Sequence, residues 1–183
     1  MLCASLPRKL FVLFSYPMPK PISTRLAGLW ARLSPLPGGR WLLGRAFGWF
    51  VPYSATIGAR VLELAPGRAV VRLPDRRRVR NHLDSVHAVA LINLGELASG
   101  LAMTMALPPD VRGIVTRLEA EYLKKARGEL KATADLSVPP IGPEPVIHPV
   151  EALITDSSGD LVCRVQATWK LGRTGASALQ SSR

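Results

Sequence analysis

The chain has 183 residues, of which 48% are hydrophobic and 20% are charged, so it can build a sizeable core and is too apolar for a disordered protein. Its two cysteines lie at position 3, near a terminus expected to fray, and at position 163, within an apolar strand pattern. A disulfide and a structural zinc site are therefore not expected, and a reducing, cytoplasmic compartment is predicted.

The net charge of +11 is distributed unevenly along the chain. No Asp or Glu occurs before Glu63, whereas eight Lys or Arg do, and the remainder is closer to balance. A basic leader without acidic residues is typical of a membrane surface contact, an anion-binding segment or a targeting peptide, and equally of a solvated basic face. The apolar run at residues 10–14 is too short for a secretory signal and lacks a clear cleavage site.

The first periodic segment is helical. Apolar residues at helical spacing predict a helix over residues 22–33, Ser34–Gly39 supplies a turn rich in Pro and Gly, and a second helix is expected over residues 40–50. We expect this helical hairpin to cover an open face of the core, and peripheral membrane contact through residues 22–50 is the alternative. The predicted organisation is a basic helical extension at 1–51, a main domain at 52–171 and a disordered tail at 172–183.

Strand patterns begin after the hairpin. Segments 55–64 and 68–73 flank a turn at Ala65-Pro66-Gly67 and predict a β-hairpin. Four more strands are predicted at 113–123, 129–138, 150–155 and 161–171. Strand 113–123 alternates, which places Thr116 on its inward face. The Pro-rich segment 139–149 is expected to be a connection that cannot pair inside a sheet.

A long apolar helix is predicted between these two groups of strands. Within residues 81–106 the sequence is apolar on nearly every side from Ala88 onward, and Asp84 and Ser85 can cap its start. Segment 86–107 is long enough to cross a bilayer, but Asn93 and Glu96 would be costly there, so a core helix is favoured. A buried carboxylate must be paired, hydrated or chemically used, which singles out Glu96.

An antiparallel sheet that wraps this helix explains its small polar surface and predicts an α+β layer architecture. Such a sheet has open edges, which dimerisation would cover. The residues add a local pattern, in which Asn81 is followed after five residues by His87, and His87 after eight more by Glu96.

The arrangement and this pattern resemble the hotdog-fold acyl-CoA thioesterase superfamily, specifically the phenylacetate-pathway type and an uncharacterised branch with an N-terminal helical extension. The resemblance covers residues 52–171 and implies a curved antiparallel sheet around a long central helix. In those thioesterases a similar Asn precedes His-Gly-Gly, and an Asp or Glu follows on the helix. Here His-Gly-Gly is replaced by His87-Ala88-Val89. The two added side chains leave less room for a substrate to approach the backbone closely, and they narrow the substrate slot.

The resemblance implies hydrolysis of an acyl-CoA or related acyl thioester, with no cofactor beyond the CoA of the substrate. Glu96 would be the general base or the nucleophile, while the amide of Ala88 and the side chain of Asn81 would stabilise the oxyanion. His87 would orient the loop and Thr116 would position a water. The phosphates of CoA would bind basic side chains, with surface solvation as the alternative: Arg76, Arg77, Arg78, Lys124, Lys125 and Arg127.

The expected assembly is a homodimer or homotetramer in which Glu96 of one subunit meets Asn81 and Ala88 of another. A non-catalytic hotdog protein that binds acyl-CoA or lipid is the alternative, since Ala88-Val89 replaces Gly-Gly. Nucleic-acid binding is not expected, because the Arg run is short and has no interleaved aromatics. The acyl chain length, the thiol carrier, the choice between base and nucleophile, and the choice between dimer and tetramer stay open.

Overall fold

The structure, a computed structural model, describes residues 22–174. This part of the chain forms four α-helices and six β-strands. The helices are α1 (Ile22–Leu33), α2 (Gly39–Phe50), the short α3 (Pro52–Ala55) and α4 (Ala88–Ala106). The strands are β1 (Arg60–Ala65), β2 (Arg68–Leu73), β3 (Val111–Tyr122), β4 (Leu130–Asp135), β5 (Val146–Thr155) and β6 (Leu161–Arg173).

The six strands form one antiparallel sheet in the order β1-β2-β4-β5-β6-β3, and helix α4 contacts every one of them. The central positions of α4, among them Leu94, Ala98 and Met103, are fully buried. Burial of these side chains against the sheet is the main favourable contribution to folding. This is the α+β hotdog fold, as the sequence predicted.

Helix α4 lies close to the sheet because one of its residues has no side chain. A Cβ at Gly95 would come within 2.4 to 2.8 Å of the side chain of Val165 on β6, closer than packed atoms allow. Glycine is therefore required at this crossing for packing. Helix α4 is long and apolar enough to cross a membrane, but 56% of its apolar stretch is buried in the molecule. The helix is therefore apolar because it packs in the core.

The start of α4 differs from the prediction that Asp84 and Ser85 cap it. The helix begins at Ala88, and His87 is the N-cap, its Nδ1 accepting a hydrogen bond from the backbone N–H of Val89 at 3.2 Å. Ser85 donates its hydroxyl to the carbonyl of Ala126 instead, and Asp84 has a positive φ of 51°. The two predicted caps belong to the loop before the helix.

The first strand is shorter than predicted. Residues 52–55 form the short helix α3, with Pro52 at a first-turn position that suits proline, and β1 begins only at Arg60. Gly58, at φ +67°, turns the chain between them. Strand β4 is likewise confined to Leu130–Asp135, within the predicted 129–138.

Strand β3 contains a β-bulge at Thr116, where the register with β6 shifts between Val115 and Arg117. Before the bulge Val111 and Val115 face the core, and after it Ala120 does. The predicted single inward face from Ile114 to Tyr122 is therefore wrong in its first half, and Thr116 is exposed. One extra residue exchanges the two faces of a strand, and strict alternation cannot show it.

Pairing also extends into the Pro-rich segment. Strand β5 begins at Val146 and includes Pro149, which lies opposite Thr168 of β6, so the prediction that residues up to 149 cannot pair is wrong. Strand β4 pairs only with Ala152–Thr155 of β5. Pro149 consequently lies where the other side of β5 has no strand, which is an edge position that proline tolerates.

The predicted helical hairpin is confirmed as α1 and α2. Helix α1 packs on α4, helix α2 packs near β1, and Leu26 and Leu43 are buried between them and the core. The hairpin thus covers a face of α4 that the sheet leaves open. At the other end, β6 continues to Arg173, beyond the predicted start of the tail, and residues 1–21 and 175–183 lie outside the described residues.

Candidate functional site

Glu96 lies in a cavity of about 520 Å³ between α4 and the α1–α2 hairpin. Its carboxyl group is partly removed from water, and this burial raises the pKa of Glu96 above the usual value of a glutamate. Burial is the only cause of this pKa shift, and no cation among the described residues lowers the pKa again. A carboxyl group with a raised pKa in a cavity is suited to proton transfer near neutral pH.

Two further residues define the surroundings of this carboxyl group. Gly100 lies one turn further along α4, and a Cβ there would be 3.7 Å from Glu96 Oε1 and 3.6 Å from the ring of Trp169. Trp169 on β6 is 8% exposed, and its indole N–H has no hydrogen-bond partner in the described part of the chain. The carboxyl group therefore shares a mostly apolar space with an aromatic ring.

A second pocket, of about 380 Å³, lies at the N-terminal end of α4 and contains Asn81 and Ala88. Asn81 Oδ1 accepts hydrogen bonds from the backbone N–H groups of Leu83 at 2.9 Å and Ser85 at 3.2 Å. These contacts hold the loop that precedes the helix. They engage the oxygen of the Asn81 side chain and leave its amide group, a donor of two hydrogens, for another partner.

The first turn of α4 faces this pocket. Ala88 lines it, and the carbonyl of Ala88 accepts a hydrogen bond of 3.3 Å from the hydroxyl of Tyr122. His87 caps the helix through Val89, whose side chain is half exposed. Backbone N–H groups at the start of a helix carry partial positive charge, so this end of α4 favours an anionic oxygen.

One protomer does not bring these two groups together. Eight residues separate Ala88 from Glu96, which is about 12 Å along a helix. Asn81 and Ala88 line one cavity, while Glu96 lines the other. A site that uses all three residues needs a second copy of the chain.

Thr116 lies apart from both cavities. It is exposed at the bulge of β3, and its hydroxyl donates a 3.1 Å hydrogen bond to the carbonyl of Thr168. Within one chain Thr116 does not line the cavity of Glu96, so its role of positioning a water there stays a prediction.

The basic residues predicted to bind CoA phosphates fall into different settings. Lys124 is engaged by Asp156 at 3.1 Å and by Asp160 at 2.5 Å, so it is not a free cation. Lys125 lines the pocket beside Ala88, and Arg127 is exposed on the following turn.

Three further predicted cations, Arg76 to Arg78, lie in and beside a 3₁₀ turn before α4. The guanidinium groups of Arg76 and Arg78 converge over Gly58, where a Cβ would meet both of them. Two like charges so close to each other favour an anion between them.

Cys163 has no role in this chemistry. Its side chain is fully buried in β6, and burial raises the pKa of the thiol to about 11, so it is protonated at neutral pH. Among residues 22–174 there is also no group of three His, Cys, Asp or Glu side chains able to hold a metal ion.

Sequence reasoning identified Glu96 but missed Trp169 and Gly100 as its surroundings, and it missed Tyr122 at the pocket of Ala88. Gly100 carried a signal, because a glycine one turn after a helical carboxylate leaves an open space beside it. Trp169 and Tyr122 lie on β6 and β3, and only the sheet register brings them to α4.

Comparison with known proteins supports this description of the fold. A family model described as a domain of unknown function (DUF4442) matches residues 39–171, which includes α2. No curated protein matches the chain. Among solved structures, that of the structural-genomics protein APC5556 is 29% identical, with a TM-score of 0.70, and covers 82% of this chain and 99% of its own.

Two further structures are more distant. PA5026 from Pseudomonas aeruginosa, described as a protein of unknown function and probable thioesterase, is 22% identical with a TM-score of 0.63, over 75% of this chain and 97% of its own. The thioesterase HI1161 from Haemophilus influenzae is 17% identical with a TM-score of 0.57, over 66% of this chain and 82% of its own. These two show a shared fold.

Proposed function

We propose that this chain, which belongs to the family described as a domain of unknown function (DUF4442), hydrolyses an acyl thioester to a free acid and a thiol. The observation that carries the proposal is Glu96, a single carboxyl group with a raised pKa in a mostly apolar cavity at the middle of the central helix. Solved structures of the same fold include proteins described as thioesterases, which supports this reaction class.

In the proposed reaction Glu96 acts on the thioester carbon. As a general base it takes a proton from a water that attacks the carbonyl; as a nucleophile it forms an acyl-enzyme anhydride that water then opens. In both versions the thioester C–S bond breaks, the sulfur leaves as the thiol, and the acyl group leaves as the acid. A chain that has one buried carboxylate at this place can carry out either version.

The charge that develops on the carbonyl oxygen needs donors. We assign this role to the backbone N–H of Ala88 and the free amide of Asn81, at the N-terminal end of α4. Because about 12 Å of helix separates Ala88 from Glu96 in one protomer, these donors must come from a partner subunit. The proposed enzyme is accordingly a homodimer, or a tetramer of such dimers, with Asn81 and Ala88 of one chain facing Glu96 of the other.

Strand β3 supports this assembly. It is a 12-residue strand at one edge of the sheet, and within residues 22–174 it pairs only with β6. Its side chains Ile114 and Leu118 are 65% and 40% exposed. A long edge strand invites pairing with another chain, and a second copy would bury it.

For the thiol carrier we propose CoA. The paired guanidinium groups of Arg76 and Arg78 provide positive charge in the segment before α4, and the ammonium of Lys125 provides it in the loop between β3 and β4. Lys124 is withdrawn from this set by its two aspartates. CoA carries several phosphate groups, which offer anionic partners to these cations. We also propose a cytoplasmic location, which the low cysteine content of the sequence predicts.

A second candidate function is binding of an acyl thioester without turnover. It is favoured by one observation, that Val89 follows Ala88 at the start of α4 with its side chain half exposed, where the thioesterases that the sequence resembles carry glycine. A bulky side chain beside the donors would admit the ligand but keep the carbonyl oxygen at a distance. This candidate predicts saturable acyl-CoA binding and no released thiol.

Peripheral membrane contact of the α1–α2 hairpin also stays a proposal. Leu29, Leu36 and Leu42 are each about half exposed, and Arg25, Arg32 and Arg40 are exposed on the same hairpin. Exposed leucines beside arginines suit an anionic lipid surface. Flotation with vesicles containing phosphatidylserine, compared with neutral vesicles, tests this contact.

The experiment that tests the main proposal is release of free thiol from a series of acyl-CoAs by the wild-type protein and by Glu96→Gln. Loss of the essential carboxylate is expected to lower kcat by about 10² to 10⁴. Glu144→Gln, which changes an exposed glutamate of the loop before β5, is the matched control and should keep full activity. Equal turnover by wild type and Glu96→Gln would overturn the assignment.

A further inference from the structure

The cavity that holds Glu96 has a wall that a hotdog sheet and helix alone do not provide. Its lining comes from α1 and α2 as well as from α4 and β6. The apolar part of the lining is formed by Leu26, Leu29, Leu43, Leu97, Leu101 and Trp169. Removing the hairpin would leave Glu96 on an open surface of α4, so the enclosed space exists because of the hairpin.

The volume and polarity of this space match those of a ligand site. About 520 Å³ lies within the range of small-molecule pockets, which are mostly apolar with a few placed polar groups. The polar groups are few here: Glu96 at one end, Thr104 two turns along α4, Ser54 on α3, and Arg25, which is exposed and marks the solvent side. From Glu96 to Thr104 the cavity follows about 12 Å of the helix.

The absence of a side chain at Gly100 keeps this space continuous. Gly100 lies between Glu96 and Thr104 on the same face of α4, and the ring of Trp169 is the nearest group opposite it. A larger residue there would divide the cavity beside the carboxyl group. An unbranched apolar chain is the shape that fits a channel with a reactive group at one end.

We propose that the α1–α2 hairpin and α4 form the binding pocket for the acyl chain, so that the hairpin selects thioesters of long, unbranched fatty acids. This inference rests on the proposed function, since it assumes that the reacting carbonyl lies at Glu96. It assigns a specificity-determining role to the extension. The CoA portion of the thioester approaches from the subunit interface. The hydrocarbon chain lies inside one protomer, between Glu96 and the hairpin.

The share of the chain covered by relatives agrees with this role. The family model begins at Gly39 and so includes α2, and the structure of APC5556 covers 82% of the chain, more than residues 52–171 amount to. Helix α2 is thus part of the family model, whereas α1 lies before its first residue.

The test uses Leu29→Trp in the full-length protein. Leu29 lines the cavity but is 48% exposed, so an indole ring can replace it without disturbing the buried core, and it would fill the cavity from the hairpin side. Leu36→Trp is the matched control, because Leu36 is 54% exposed in the turn between α1 and α2 and does not line the cavity.

Binding is measured by calorimetry with two non-hydrolysable thioethers, dodecyl-CoA and methyl-CoA. We expect Leu29→Trp to weaken dodecyl-CoA binding by at least about tenfold and to leave methyl-CoA binding unchanged, since only the long chain reaches the cavity. Leu36→Trp should behave as wild type. Equal affinity of wild type for the two thioethers, or equal loss for both in Leu29→Trp, overturns the inference.

Turnover of dodecanoyl-CoA and acetyl-CoA separates this inference from the proposed function. If wild type binds dodecyl-CoA tightly and Leu29→Trp does not, but no thiol is released, the pocket stands and the hydrolase is wrong. If thiol is released from both substrates and Leu29→Trp lowers both rates equally, the hydrolase stands and the pocket is wrong.

Discussion

At the scale of single residues, Glu96 is unusual because it is a carboxyl group in an apolar environment. It lies on the most apolar of the helices within residues 22–174, and burial alone raises its pKa. A carboxyl group whose pKa is raised on folding binds its proton more tightly in the native state. Folding stability therefore decreases as pH rises from the ordinary glutamate pKa through the raised one. The residue costs stability at neutral pH, which fits a chemical role.

Replacement by glutamine separates stability from activity. Gln has similar size and no charge, so we expect Glu96→Gln to match or exceed the melting temperature of wild type near neutral pH, with the difference shrinking toward about pH 4. Thermal denaturation across this pH range measures it. A structural carboxylate would behave in the opposite way, and a lower melting temperature of the variant at neutral pH would indicate that role.

The pH dependence of turnover follows from the same shift. As base or nucleophile Glu96 must be ionised, so we expect kcat/KM to fall on the acidic side with an apparent pKa above that of an ordinary glutamate. A pH–rate profile of the wild type gives this value directly. An acidic limb at the ordinary glutamate pKa would mean that the reacting carboxyl is better hydrated than Glu96 is.

At the scale of elements, two glycines of α4 look alike in sequence and differ in their neighbours. Gly95 faces Val165 of β6 so closely that a Cβ has no room, whereas a Cβ at Gly100 would meet Glu96 and Trp169 at ordinary contact distances. Helix propensity favours alanine over glycine by about 1 kcal/mol at both positions. The space around each glycine therefore determines whether alanine stabilises or destabilises the protein at that position.

We expect Gly95→Ala to destabilise the protein by about 1 to 3 kcal/mol, because overpacking forces α4 away from the sheet. Gly100→Ala should be neutral or stabilising by up to about 1 kcal/mol. Urea denaturation of both variants and wild type provides the comparison, with Gly100→Ala as the matched control. Equal effects of the two substitutions would mean that α4 does not approach β6 as described.

At the scale of the whole molecule, the question is how one site can use both ends of the same helix. Asn81 and Ala88 lie at the start of α4 and Glu96 two turns further on, in separate cavities of a protomer. An isologous dimer presents each end to the other end of its partner. Function would then depend on assembly.

Mixing two inactive variants tests this dependence. Asn81→Asp keeps the oxygen that holds the loop and removes the amide donor, and Glu96→Gln removes the base. After unfolding and refolding together in equal amounts, about half of the dimers are mixed, each with one intact shared site, so about a quarter of wild-type activity is expected. Each variant refolded alone is the control. No recovery in the mixture would place the whole site within a single chain.

Several features followed from the sequence alone. The helical period of residues 22–33, the continuous apolar run after Ala88 and the alternation of the later strands predicted the hairpin, the core helix and the sheet, because these patterns depend on local geometry. Glu96 stood out for the same reason, since a charge in an apolar helix is visible in one dimension. The local pattern also led to the hotdog fold.

Only the tertiary structure decided the rest. The bulge at Thr116 exchanges the faces of β3, and Pro149 is tolerated because β4 ends before it reaches that position; both depend on what a neighbouring strand does. Lys124 is neutralised by two aspartates more than thirty residues away in sequence. The cavity at Glu96 exists because the leader hairpin folds onto the central helix. Contacts between residues far apart in sequence determine such features, and no local period encodes them.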